Sequence, residues 1–143
     1  MAEISTRLVE MGAYEVSVGD TVGVGTVAEV QLVLDALLPA LGAERVSLHL
    51  HDTRGQALAN IMAALARGIR SFDASSGGLG GCPFAPRSTG NVATEEVLVL
   101  LAGLGYETDI DLDAQMQASW FIEGFLGRAL PSRTLAAARS GDQ

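Results

Sequence analysis

Three short apolar runs recur along the chain, and each leads through a loop into a stretch with the apolar spacing of a helix. The runs predict strands at residues 14–18, 45–51 and 70–75, and the stretches predict helices at 27–40, 56–67 and 92–101. Alternating strands and helices join parallel strands through right-handed crossovers. The pattern therefore predicts an α/β fold built on a parallel sheet.

Two further helices are predicted outside this alternation, at residues 2–11 and 113–127, and glycines lie where several helices should end. The 143 residues are enough for one domain with a real core. We expect that domain to cover residues 1–130. The polar tail, 131–143, has no strong apolar pattern and is expected to fray.

The composition argues against several classes of protein. The net charge is −8, with the basic residues scattered singly, so no nucleic-acid partner is expected. One cysteine cannot build an internal disulfide framework. No apolar run has the length of a membrane span, and the first residues lack the pattern of a targeting signal. A cytoplasmic protein without a membrane partner is expected.

The only two histidines, His49 and His51, stand one residue apart in a predicted strand. Strand side chains alternate between faces, so both imidazoles leave the same face. Two neighbouring imidazoles form a ready pair of metal ligands. The plainer alternatives are two satisfied core histidines, or one structural and one exposed histidine. A catalytic metal usually needs a third protein ligand, for which Asn91, Asp20 or a carboxylate from outside this chain are candidates.

Candidate residues gather at one end of the predicted sheet. Asp20, His49 and His51 fall at the carboxyl ends of strands, and Cys82 follows the third strand in a glycine-rich loop. In parallel α/β folds this end of the sheet carries the sites. The alternatives are a small buried residue for Cys82 and simple capping roles for Asp20 and Asn91.

Three long motifs give a specific resemblance: YEVSVGDTVGVGT, HLHDTRGQALAN and FDASSGGLGGCPFAPRSTGNVATEE. From about Glu3 to Leu130, the chain resembles the C-terminal part of 3-hydroxy-3-methylglutaryl-CoA lyases. The resemblance implies a partial TIM barrel, made of the last three parallel βα units and flanking helices. It also implies cleavage of 3-hydroxy-3-methylglutaryl-CoA to acetyl-CoA and acetoacetate, a reaction of leucine degradation and ketone-body formation.

The resemblance assigns roles to individual residues. His49, His51 and Asn91 match metal-site positions, and the metal implied is Mg²⁺ or Mn²⁺. Cys82 matches a catalytic cysteine, His49 would couple metal binding to proton movement, and Asp20 matches an aspartate near the acyl-CoA substrate. The related condensing enzymes share a histidine pair but usually lack the cysteine loop, so they are the alternative within this superfamily.

One departure concerns the first barrel strand, where the family carries an Arg and a metal-binding Asp. The chain contains no such strand, and a TIM barrel typically needs about 250 residues. We therefore expect a complementary N-terminal barrel half or a homo-oligomer as partner, or else a non-catalytic fragment. We also expect Val16, Val46, Leu48 and Phe72 to line or flank an open apolar surface of the sheet.

Overall fold

A computed structural model describes residues 1–81 and 90–140 of the chain. The chain divides into two compact units, Met1–Asp73 and Ala74–Gln143. The helices and strands of the first unit are α1 Ala2–Glu10, β1 Val16–Asp20, α2 Val27–Leu41, β2 Val46–Leu50, α3 Ala57–Leu65 and β3 Ser71–Asp73. Those of the second are α4 Thr94–Gly103, α5 Leu112–Leu126 and α6 Arg133–Ser140.

The first unit is a parallel three-stranded sheet in the order β1-β2-β3. Each predicted strand is present, with its ends displaced by one or two residues. Helix α2 begins where predicted because Thr26 and Glu29 form a capping box, in which each side chain binds the backbone N–H of the other residue. The predicted strand–helix alternation and parallel pairing are confirmed.

The two faces of this sheet differ in chemistry. Val46, Leu48 and Leu50 of β2 are buried, as is Val16 of β1. The residues that alternate with them are polar, and the register brings Ser47 level with Ser17 and Ser71. The expectation of an open apolar surface at Val16, Val46 and Leu48 was wrong. Strand alternation directs these side chains into the core and leaves serines on the other face.

The second unit is built around a buried carboxylate. Glu95, in the first turn of α4, has no exposed surface. Its two oxygens accept hydrogen bonds from the Gly77 N–H at 3.1 and 2.9 Å. Ser119 Oγ and Gln115 Nε2, both on α5, donate to the same carboxylate. These contacts join α4, α5 and the turn at Ser76–Gly78.

The segment predicted to fray, 131–143, contains a helix within its described residues. Helix α6 spans Arg133–Ser140, and Leu135 is completely buried. Ser132 Oγ accepts from the Leu135 N–H at 3.2 Å, as an N-terminal cap does. Glu96 also accepts from the Arg133 and Thr134 N–H groups. Capping and one buried leucine therefore order a segment whose composition is polar.

Over residues 1–81 and 90–140, no helix combines the length and apolar character that crossing a membrane requires.

Candidate functional site

The two histidines lie side by side at the carboxyl end of β2. Their ring centroids are 5.2 Å apart and the ring planes are tilted by 54°. His51 is buried, whereas 38% of the His49 side chain is exposed. The prediction that both imidazoles leave the same side of a parallel strand is therefore confirmed.

A carboxylate that sequence reasoning missed contacts one histidine of this pair. Asp73 ends β3, and the parallel register sets it directly opposite His49. Its Oδ2 lies 3.2 Å from His49 Nδ1, and Ser17 Oγ donates to the same oxygen at 3.4 Å. The signal was an aspartate inside the next predicted strand, 70–75, but the pairing depends on a register that links residues far apart in sequence.

Asp20 holds a loop. Its Oδ1 accepts from the N–H groups of Gly23 and Val24 at 2.9 and 3.3 Å, and its Oδ2 accepts from the Gly25 N–H at 2.8 Å. Three backbone donors hold the carboxylate in one orientation. The same strand end also borders a cavity of about 230 Å³, lined by buried residues of β2 such as Leu48 and Leu50. Leu48 and Leu50 alternate with His49, so the cavity belongs to the other face of the sheet.

Asn91 belongs to the second unit. Its Nδ2 donates to the Leu79 carbonyl at 3.0 Å, and Ser75 Oγ donates to that same carbonyl at 2.6 Å. The side-chain Oδ1 is buried and accepts no hydrogen bond from the described residues. An oriented, unsatisfied amide oxygen suits a hard cation such as Mg²⁺ or Mn²⁺.

Two aspects of the predicted site remain predictions. Cys82 lies outside the described residues. Within the described ranges, no three histidine, cysteine, aspartate or glutamate side chains form a group that could hold a metal ion. A metal site formed by His49, His51 and Asn91 therefore stays a prediction.

Comparison with known proteins places the chain in a family. The family model described as HMGL-like matches residues 1–122. The chain is 47% identical to hydroxymethylglutaryl-CoA lyase of Bacillus subtilis over 137 residues, which are 96% of this chain and 46% of that protein. It is equally identical over 137 residues to a Pseudomonas aeruginosa protein named 3-hydroxy-3-isohexenylglutaryl-CoA/hydroxy-methylglutaryl-CoA lyase.

The solved structures agree with the sequence comparison. The crystal structure of the Bacillus subtilis HMG-CoA lyase superposes with a TM-score of 0.93 at 46% identity, over 96% of this chain and 46% of that one. The predicted fold class, an α/β chain that forms part of a TIM barrel, is confirmed. The chain spans about half the length of the curated relatives it matches.

Proposed function

The chain belongs to the HMGL-like family, and we propose that it provides part of a metal-dependent carbon–carbon lyase acting on 3-hydroxy-3-methylglutaryl-CoA. The observation that carries this proposal is the adjacent imidazole pair, His49 and His51, at the carboxyl end of a parallel strand. The proteins to which the chain is 47% identical carry lyase names, which favours cleavage over condensation.

The proposed metal ligands are His49, His51 and Asn91, and the proposed ion is Mg²⁺ or Mn²⁺. The unsatisfied Asn91 Oδ1 fits either ion, because both prefer oxygen donors, and the two imidazoles add nitrogen donors of the kind that first-row metal ions bind. A bound ion would supply Lewis acidity at the oxygens of the substrate. The remaining ligand would be the first-strand carboxylate that the family resemblance implies.

In the proposed reaction, a base takes the proton of the 3-hydroxyl group, and the C2–C3 bond breaks. The new ketone leaves as acetoacetate, and the electron pair of the broken bond stays on the acetyl-CoA carbon. Cys82 would then deliver a proton to that carbon, and His49, as a ligand, would couple metal binding to proton movement. Asp20, whose carboxylate is already bound by three N–H groups, would position the loop beside the substrate.

Activity in the presence and absence of a complementary chain tests the proposal. The purified chain would be mixed with Mn²⁺ and with the part of the Bacillus subtilis relative that it does not match, and acetyl-CoA release would be measured. We expect little turnover from the chain alone, because it spans about half the length of the relatives it matches, and clear turnover from the mixture. A mixture that binds the metal but releases no acetyl-CoA would contradict the lyase assignment.

Two substitutions in that mixture separate the proposed roles. Cys82→Ser should lower turnover about 100-fold or more while Mn²⁺ affinity stays unchanged, since proton transfer of this kind contributes about 10²–10⁴-fold. His51→Ala should instead weaken Mn²⁺ binding first. Equal loss of metal in both variants would put Cys82 among the ligands.

The substrate and the compartment are also proposals. The Pseudomonas aeruginosa relative carries the name of a larger acyl-CoA as well, so the assay would include an acyl-CoA with a longer branch at C3. Condensation from acetyl-CoA and a keto acid is the reaction to measure for the alternative enzyme class. We propose a cytoplasmic location and either a homo-oligomer or a complementary barrel half as partner.

A further inference from the structure

The Asp73 carboxylate lies beside one of the two ring nitrogens of His49. The distance from His49 Nδ1 to Asp73 Oδ2 is 3.2 Å, within hydrogen-bond reach. An ionised carboxylate can only accept a hydrogen bond, so the nitrogen that faces it must carry the proton. We propose that Asp73 is a positioning residue that holds neutral His49 in the Nδ1–H tautomer and so leaves Nε2 as the nitrogen with a free lone pair.

The surroundings of Asp73 fix this arrangement from more than one element. Asp73 and His49 are directly paired in the β2–β3 register, so both backbones hold the contact. Ser17 Oγ, on β1, donates to the same Oδ2 at 3.4 Å, and that hydroxyl orients the carboxylate. One carboxylate oxygen thus receives donors from both other strands of the sheet.

The consequence concerns which nitrogen can bind a ligand. A metal-binding histidine characteristically donates its other N–H to a carboxylate or carbonyl, which fixes the tautomer and the ring orientation. Asp73 supplies that acceptor, which leaves Nε2 as the nitrogen able to act as a ligand. The use of Nε2 as a metal ligand rests on the proposed function, whereas the tautomer rests on the contacts of Asp73 alone.

Long-range ¹H–¹⁵N spectra of the two imidazoles measure the tautomer directly, in the full chain without added metal. The chain contains only two histidines, and a His51→Gln variant assigns their signals. At alkaline pH, where imidazoles are neutral, wild-type His49 should show a protonated Nδ1 and a lone-pair Nε2. In Asp73→Ala the proton should redistribute between the two nitrogens, and His51 serves as the internal reference.

The matched control is Asp35→Ala. The Asp35 side chain is 57% exposed against 55% for Asp73, and it too pairs with a basic side chain, that of Arg67. This variant should leave the His49 spectrum unchanged. An Nε2–H tautomer for wild-type His49, or a spectrum that Asp73→Ala does not alter, would overturn the proposal. Because no metal is used, failure of the tautomer and failure of the proposed lyase function are distinguishable.

Discussion

Two carboxylates, one in each unit, have opposite surroundings. The Asp73 side chain is 55% exposed at the end of a strand, and its Oδ2 faces an imidazole and a hydroxyl. Glu95 is fully buried and accepts from a backbone N–H, a hydroxyl and an amide. A buried carboxylate bound on all sides cannot meet a substrate, so its contacts serve the fold. An exposed carboxylate beside a histidine can instead determine which nitrogen of that imidazole carries the proton.

The difference shows how stability and function are separated in this chain. Exposed ion pairs contribute about 0–1 kcal/mol, so Asp73 can be committed to orienting His49 at little cost to folding. Removal of one partner from a buried polar network costs several times more, because the other groups are left unsatisfied. The stability of the fold should therefore depend on Glu95, and the tautomer of His49 should depend on Asp73.

The largest expected effect comes from Glu95→Gln. The amide group would place N–H donors against the Gly77 N–H and leave buried donors unsatisfied. We expect the free energy of unfolding to fall by about 2–4 kcal/mol, in the range measured when buried charged networks are broken. Urea denaturation of the full chain measures this change.

Two matched variants accompany this measurement. Glu107→Gln makes the same chemical change on an exposed loop, and Asp73→Asn makes a comparable change at the strand end. Both should stay within about 1 kcal/mol of the wild type. If Glu95→Gln is as stable as Glu107→Gln, the buried carboxylate does not hold the second unit together, and the contrast between the two carboxylates fails.

An intermediate effect is expected from Gly80→Ala. This variant tests whether the backbone just after the turn at Ser76–Gly78 positions the Asn91 side chain. Gly80 has φ +121°, and a Cβ there would lie 2.7 Å from Asn91 Nδ2. Strain and this contact should cost about 1–3 kcal/mol. They should also move the NMR signals of the Asn91 side-chain amide.

The neighbouring glycine gives the control. A Cβ at Gly81 would meet no heavy atom of the described residues within 4 Å, so Gly81→Ala should change the free energy of unfolding by no more than about 0.5 kcal/mol. The Asn91 amide signals should stay in place. Similar shifts in both variants would show that the loop responds as a whole, and that Gly80 has no particular role in placing Asn91.

Sequence reasoning reached the strands and the histidine pair because both depend on local periodicity. The alternation that brings His49 and His51 to one side is a property of any strand, and β2 obeys it. The same rule, applied to Val16, Val46 and Leu48, led to the wrong prediction that these side chains face an open surface. Alternation says which residues share a face, but the position of the helices decides that the face of Val46 and Leu48 is the covered one.

The residues that were missed owe their roles to contacts between distant segments. Glu95 has the local pattern of an acid in the first turn of a helix, a common exposed position, and only its contacts with α5 and Gly77 bury it. Asp73 meets His49 through strand register. The helix α6 had a local signal in the sequence, since Ser132 three residues before Leu135 is a typical N-cap residue.

The smallest expected effect concerns a third carboxylate, Glu29, which is exposed yet hydrogen-bonded. The Thr26 backbone N–H, and then the Thr26 hydroxyl, hold the pKa of Glu29 below its ordinary value. A lowered folded-state pKa gives stability that is present above the unfolded-state pKa and is lost as the pH falls through the folded-state pKa. Glu29→Gln should therefore lower the melting temperature slightly at neutral pH, because the amide can still accept but carries no charge.

As the solution is acidified, the wild-type carboxyl also becomes neutral, so the melting temperatures of wild type and Glu29→Gln should converge. In a Thr26→Ala background the pH dependence of the difference should shrink, because the hydroxyl donor is gone while the backbone donor remains. A difference that stays constant from neutral to acid pH would mean that the charge of Glu29 contributes nothing to α2. In that case an exposed carboxylate such as Glu29 would not stabilise this fold through its charge, even though it accepts hydrogen bonds.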